Sequence, residues 1–61
     1  MSMATITESL QALIADLEEL LGDAGKVDKG QKAAGTRVRK GLQNAKKSCD
    51  ALRKDILALR E

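Results

Sequence analysis

The chain has 61 residues, 43% hydrophobic and 33% charged, with eleven basic and nine acidic side chains for a net charge of +2. A chain of that length makes one domain, residues 1–61, near the lower limit of what folds alone. It has one cysteine and no histidine, aromatic residue or proline, which excludes an internal disulfide and a zinc set and argues against stacking on unpaired bases.

Without a disulfide or a metal, oligomerisation is the remaining way to stabilise so small a core. A core of Leu, Ile, Val and Ala suits interdigitating helices better than a small sheet, so the expected class is all-α. No apolar run approaches the ~20 residues of a membrane span. Met1 to Thr7 has neither a basic n-region nor an apolar h-region, so no secretory signal is expected. The single Cys49 fits a reducing, cytoplasmic setting.

In the first third, Met3, Ile6, Leu10, Leu13, Leu17, Leu20 and Ala24 recur at alternating steps of three and four, the seam of a coiled-coil helix. Ile14 and Leu21 widen that seam into a bundle face. Thr5 with Glu8 three residues on reads as a capping box. Gly22 and Gly25 stand where the pattern stops, as helix terminators do. These signals predict helix one over about residues 5–22.

A second seam follows through Val38, Leu42, Ala45, Cys49, Leu52, Ile56 and Leu59. Asp28 and Gln31 resemble a second cap, which predicts helix two over about 28–60. Gly30, Gly35 and Gly41 each oppose helix by about 1 kcal/mol. Gly35 falls on the seam side, where a missing side chain lets another backbone approach.

The two helices carry opposite charge. Residues 1–25 hold Glu8, Asp16, Glu18, Glu19 and Asp23 and no base, a net of −5. Residues 26–61 hold all eleven bases against Asp28, Asp50, Asp55 and Glu61, a net of +7. Between Lys26 and Lys47, eight bases face only Asp28. Such asymmetry points to an acidic partner or a nucleic acid.

Length adds a further expectation. In an antiparallel hairpin a helix ending at residue 22 covers about half of its longer partner, at ~1.5 Å per residue. Cys49, Leu52, Ile56 and Leu59 then project as an open apolar stripe, an association surface. Closed two-fold pairing is the commonest way to cover one. The predicted architecture is therefore an antiparallel helical hairpin, short acidic helix against longer basic helix, self-associating into a dimer or higher bundle. Cys49 reads as a small buried seam residue; with no histidine beside it, a reactive thiol is disfavoured.

Lys29, Lys32, Thr36, Arg39, Lys40, Gln43, Lys46 and Lys47 follow at helical spacing on the side opposite Val38, Leu42 and Ala45, with Arg37 and Asn44 flanking. Such a row meets successive phosphates, with neutral donors between the charges. The bland alternative is a solvated face partly neutralised by helix one. Glu18 and Glu19 lack any partner for acid–base work, so no enzyme, cofactor or small-molecule substrate is expected.

The stretch Gly30-Gln31-Lys32-Ala33-Ala34-Gly35-Thr36-Arg37-Val38-Arg39-Lys40, with Leu52-Arg53-Lys54-Asp55-Ile56 downstream, resembles the N-terminal part of the bacterial linker-histone-like nucleoid proteins of the chlamydial histone-like type. The likeness spans roughly residues 29–56. It implies a helical, self-associating, cytoplasmic nucleoid protein that binds double-stranded DNA without sequence preference. Lys29, Lys32, Arg37, Arg39, Lys40, Lys46 and Lys47 are then the expected phosphate contacts. Family members typically carry a long Lys/Ala-rich tail that does most of the compaction. This sequence ends at Glu61 without one, so modest DNA contact is expected in place of strong condensation. The competing expectation is an oligomerisation or protein-interaction module with no nucleic-acid ligand. An acidic helix packed over the basic side chains would favour the module; an open stripe would favour DNA.

Overall fold

The computed structural model describes residues 5–59. Two helices, α1 (Ile6–Asp28) and α2 (Lys32–Leu59), pack as an antiparallel hairpin. Met3 and Arg60, which the sequence assigned to the helices, lie outside the described residues.

α1 opens as its sequence requires. The Glu8 N–H donates to the Thr5 hydroxyl at 3.1 Å, and the Thr5 N–H donates to Glu8 Oε1 at 2.8 Å. That reciprocal box satisfies two of the free amides of the first turn.

The other end of α1 departs from expectation. The helix runs through Gly22 and Gly25 to Asp28, six residues past the predicted stop. The terminator is Gly30, whose φ of +89° is one an L side chain adopts only with strain. The Gly30 N–H donates to the Val27 carbonyl at 2.9 Å, and the Gln31 N–H to the Lys26 carbonyl at 3.0 Å. These are the paired bonds of a Schellman stop, with glycine at its left-handed position. Asp28 is thus the last residue of α1, not a cap for α2, and α2 starts at Lys32 in place of 28.

Gly22 and Gly25 stand in open space within α1. Each is expected to gain about 1 kcal/mol on replacement by alanine. That corresponds to roughly 4–8 °C in melting temperature for a domain of this size. A thermal melt of Gly22→Ala and Gly25→Ala checks this, and an unchanged or lower midpoint would contradict the helical assignment. At Gly41 an added Cβ would lie 2.5 and 2.9 Å from the two methyls of Leu20. The clash offsets the propensity gain, so Gly41→Ala should fall short of both.

That close approach shows which faces meet. On α2 the side toward α1 is Ala34, Val38, Gly41, Ala45 and Leu52, of which Ala34 and Leu52 are buried. On α1 it is Ile6, Leu13, Leu20 and Ala24, with Leu13 buried. The α2 seam is therefore rotated from the predicted one. Small residues let the backbones close up, while Leu42, Cys49 and Ile56 stand exposed beside the contact. Gly35, expected to mark the close approach, has only an ordinary neighbour: a Cβ there would lie 3.9 Å from a Val27 methyl. Cys49 is exposed, not buried.

The extra turns of α1 also remove the predicted overhang. Helices of 23 and 28 residues span ~35 and ~42 Å, so α1 runs alongside most of α2. Ile6, Leu10 and Leu13 lie beside Cys49, Leu52 and Ile56 in one groove. The stripe of Cys49, Leu52, Ile56 and Leu59 is thus not left without a partner in the chain. Leu52 belongs to the hairpin's own core, and Leu59, at the end of α2, is 74% exposed.

Candidate nucleic-acid interface

The basic side chains stand on the side of α2 away from α1 and along its flanks. Positions 36, 40, 43, 47, 50 and 54 follow at steps of four and three and form one line down the outer back of the helix. They read Thr36, Lys40, Gln43, Lys47, Asp50 and Lys54. Lys32, the first residue of α2, lies near the head of this line. All of these side chains are exposed.

The remaining candidates divide by position. Arg39 and Lys46 lie on the flank shared with Leu42 and Cys49, while Arg37 lies on the opposite flank. Lys29 belongs to the turn as the C-cap of α1, so it sits at the end of the hairpin and not on the helical row. Lys54, set apart from the basic cluster in the sequence by Asp50 and Asp55, stands on the same line as Lys47 at three–four spacing through Asp50, and Arg53 lies on the flank shared with Leu42 and Cys49.

The acidic helix reaches one member of the set. Arg37 donates from Nε to Asp23 Oδ2 at 3.0 Å and from its terminal nitrogen to Oδ1 at 2.9 Å. This two-pronged geometry matches a guanidinium to a carboxylate. Lys26, one turn on from Asp23 in α1, stands 4.0 Å from the same Oδ1. Among the described residues no other ion pair forms. Lys32, Arg39, Lys40, Lys46, Lys47 and Lys54 therefore present their charge to solvent.

The pairing shifts both partners. The hydrogen bonds from Arg37 hold the Asp23 carboxyl below its ordinary value, with the positive charges of Arg37 and Lys26 acting the same way. Asp23 raises the Arg37 guanidinium in turn. The Thr5 amide lowers Glu8 likewise, helped by the Thr5 hydroxyl. A carboxylate depressed on folding stabilises above its unfolded pKa, and that contribution is lost as pH falls through the folded value. The hairpin should therefore lose stability below about pH 4, where carboxylates ordinarily titrate. Asp23→Asn is expected to lower the melting point at pH 7 and to flatten this acid decline. Melts across pH 2–7 check it; a parallel decline in the variant would mean that Asp23 contributes nothing.

Among the described residues no group of three His, Cys, Asp or Glu side chains could hold a metal ion, and no helix is long and apolar enough to cross a membrane. What the outer surface of α2 presents is a row of exposed cations along one helix. Their spacing along one helix face suits a polyanion with regularly placed charges.

No curated protein matches the chain, and neither does any solved structure. The family model described as "Histone H1-like protein Hc1" matches residues 4–61, nearly the whole sequence. With its acidic and basic helices folded as one hairpin inside that span, the chain belongs to the histone H1-like protein Hc1 family.

Proposed function

We propose that this protein binds double-stranded DNA through the phosphate backbone, without reading base sequence, as a self-associating nucleoid component. Membership of a histone H1-like family implies DNA packaging in the nucleoid and not catalysis. The observation that carries the finer reading is the open outer surface of α2. Of the predicted contacts only Arg37 is engaged by the acidic helix, while Lys32, Arg39, Lys40, Lys46 and Lys47 stay free, joined by Lys54. Lys29 adds a charge at the turn. The chain has no aromatic side chain to stack on a base, so backbone charge is what it can recognise.

Self-association rests on a different observation from the one the sequence supplied. Among the described residues the hairpin buries only Leu13, Ala34 and Leu52. Two buried leucines contribute about 1.5–3 kcal/mol each, little for a domain that must order 55 described residues. Cys49, Ile56 and Leu59 remain candidates for a contact between copies, while Leu52 acts from within the core.

The alternative is an assembly module with no nucleic-acid ligand. The Asp23–Arg37 pair favours it, because that pair uses one base internally. A gel-shift titration with random duplex DNA at two salt concentrations separates the readings. Backbone binding requires affinity that falls steeply with salt. Absence of binding at ~50 mM salt would leave only the assembly module.

A further inference from the structure

The hairpin has two unlike sides. One groove between the helices is lined by Ser9, Ala12, Ser48, Ala51 and Asp55, with Leu52 at its floor shared with the other side. The other is lined by apolar side chains of Ile6, Leu10, Leu13, Cys49, Leu52 and Ile56, with Arg53 at its edge. At 3.6 residues per turn, the second side continues along α1 through Ile14, Leu17 and Leu21 and along α2 through Leu42. Leu10, Ile14, Leu17, Leu21, Leu42 and Ile56 are between 39% and 70% exposed. A contiguous apolar face of this size on a small chain marks an interaction surface.

We infer that a second copy of this chain covers that face, with α1 of each copy lying over α2 of the other and both turns at the same end. The inference deepens the self-association reading above and rests on it. The face suits a second copy in size. The molecule measures 47 × 17 × 16 Å, so one long side offers on the order of the ~800 Å² per partner that stable interfaces bury. Covering it would enclose the leucines that the isolated hairpin leaves wet.

Charge selects the arrangement. α1 carries six acids and one base, and α2 eight bases and two acids. Two hairpins stacked face to face by a two-fold can place like helix over like, or α1 over α2. The first sets basic helix against basic helix and acidic against acidic. The second sets opposite charges together along the whole length. Leu20 lies against Gly41 and Asp23 pairs with Arg37, a register that puts Glu18 level with the stretch between Arg39 and Lys46. In the crossed arrangement, Glu18 at the rim of one copy therefore approaches Lys46 of the other.

The crossed dimer has a consequence for DNA. Its two α2 helices stand at opposite corners of a four-helix bundle, and their outer backs of Lys40, Lys47 and Lys54 turn to opposite sides. One dimer then joins two duplexes, whereas the like-over-like dimer would present both rows to one.

The test places a spin-labelled unnatural amino acid at Gln31, in the turn, with Cys49 left in place. Sedimentation should give a dimer, with spin-label separations on the order of two helix diameters, ~20–25 Å. An immobilised duplex saturated with the dimer should capture a second, labelled duplex. Lys46→Glu should weaken the dimer at low salt, and adding Glu18→Lys should restore it. A dimer with separations near the 47 Å long dimension would overturn the crossed arrangement while leaving self-association intact. A folded monomer would overturn self-association itself, and DNA binding by that monomer would show the backbone-binding reading to be independent.

Discussion

Leu52→Asp is expected to unfold the chain. Leu52 is 9% exposed and is one of three buried side chains in the hairpin. Truncating a buried leucine costs about 2–5 kcal/mol, and a carboxylate in its place adds the cost of burying a charge with no partner. A single core in a chain this short supplies about 3–5 kcal/mol, so the change removes the whole margin. Far-UV circular dichroism should show the helical signal lost at 25 °C. Leu57→Asp is the control, because Leu57 is 62% exposed beside Asp50, Arg53 and Lys54, and its helix should survive. A cooperative melt retained in Leu52→Asp would mean that the two helices are not held together at this position.

The class and pairing of the helices were legible because they depend on signals carried by consecutive residues. Thr5 and Glu8 form the box that their spacing announces. The apolar steps through Ile6, Leu13 and Leu20 place α1 against its partner. The position of the turn was harder to read, since Gly22, Gly25 and Gly30 offer the same residue type with two different outcomes. Only Gly30 takes a positive φ, and the apolar step from Leu20 through Ala24 to Val27 shows that α1 continues beyond the first two. The α2 seam misled for a related reason. Hydrophobic periodicity weights large side chains, but close helix packing selected Ala34, Gly41 and Ala45 and left Leu42 and Ile56 outside. Of the basic set, the spacing put Lys32, Lys40 and Lys47 on one line, whereas Arg39 and Lys46 lie on a flank and Lys29 in the turn. What the sequence did not disclose was the partner of Arg37, because Asp23 lies fourteen residues earlier and meets it only once the turn is closed.

That division within the basic set predicts unequal effects on DNA binding. Lys40, Lys47 and Lys54 share the outer back of α2, in no ion pair among the described residues, so each should neutralise one phosphate. The logarithm of the binding constant falls with log salt by about 0.9 per phosphate neutralised, and each lysine removed should flatten that slope by about one unit. At ~50 mM salt, one released counterion corresponds to roughly tenfold in affinity. The Lys40→Ala, Lys47→Ala, Lys54→Ala triple variant should therefore bind about a thousandfold more weakly per chain, equally for every duplex sequence. Arg37→Ala should cost far less affinity, because its guanidinium is already held by Asp23. Asp23→Asn works in the opposite sense: it frees Arg37 for phosphate, and so should tighten binding and steepen the slope. Fluorescence anisotropy with random duplex DNA at several salt concentrations measures both quantities for each variant. If the triple variant kept the slope of the unmodified chain, the outer back of α2 would not be the DNA-contacting surface. Equal losses from Arg37→Ala and Lys47→Ala would mean that the Asp23 pair opens whenever DNA is bound.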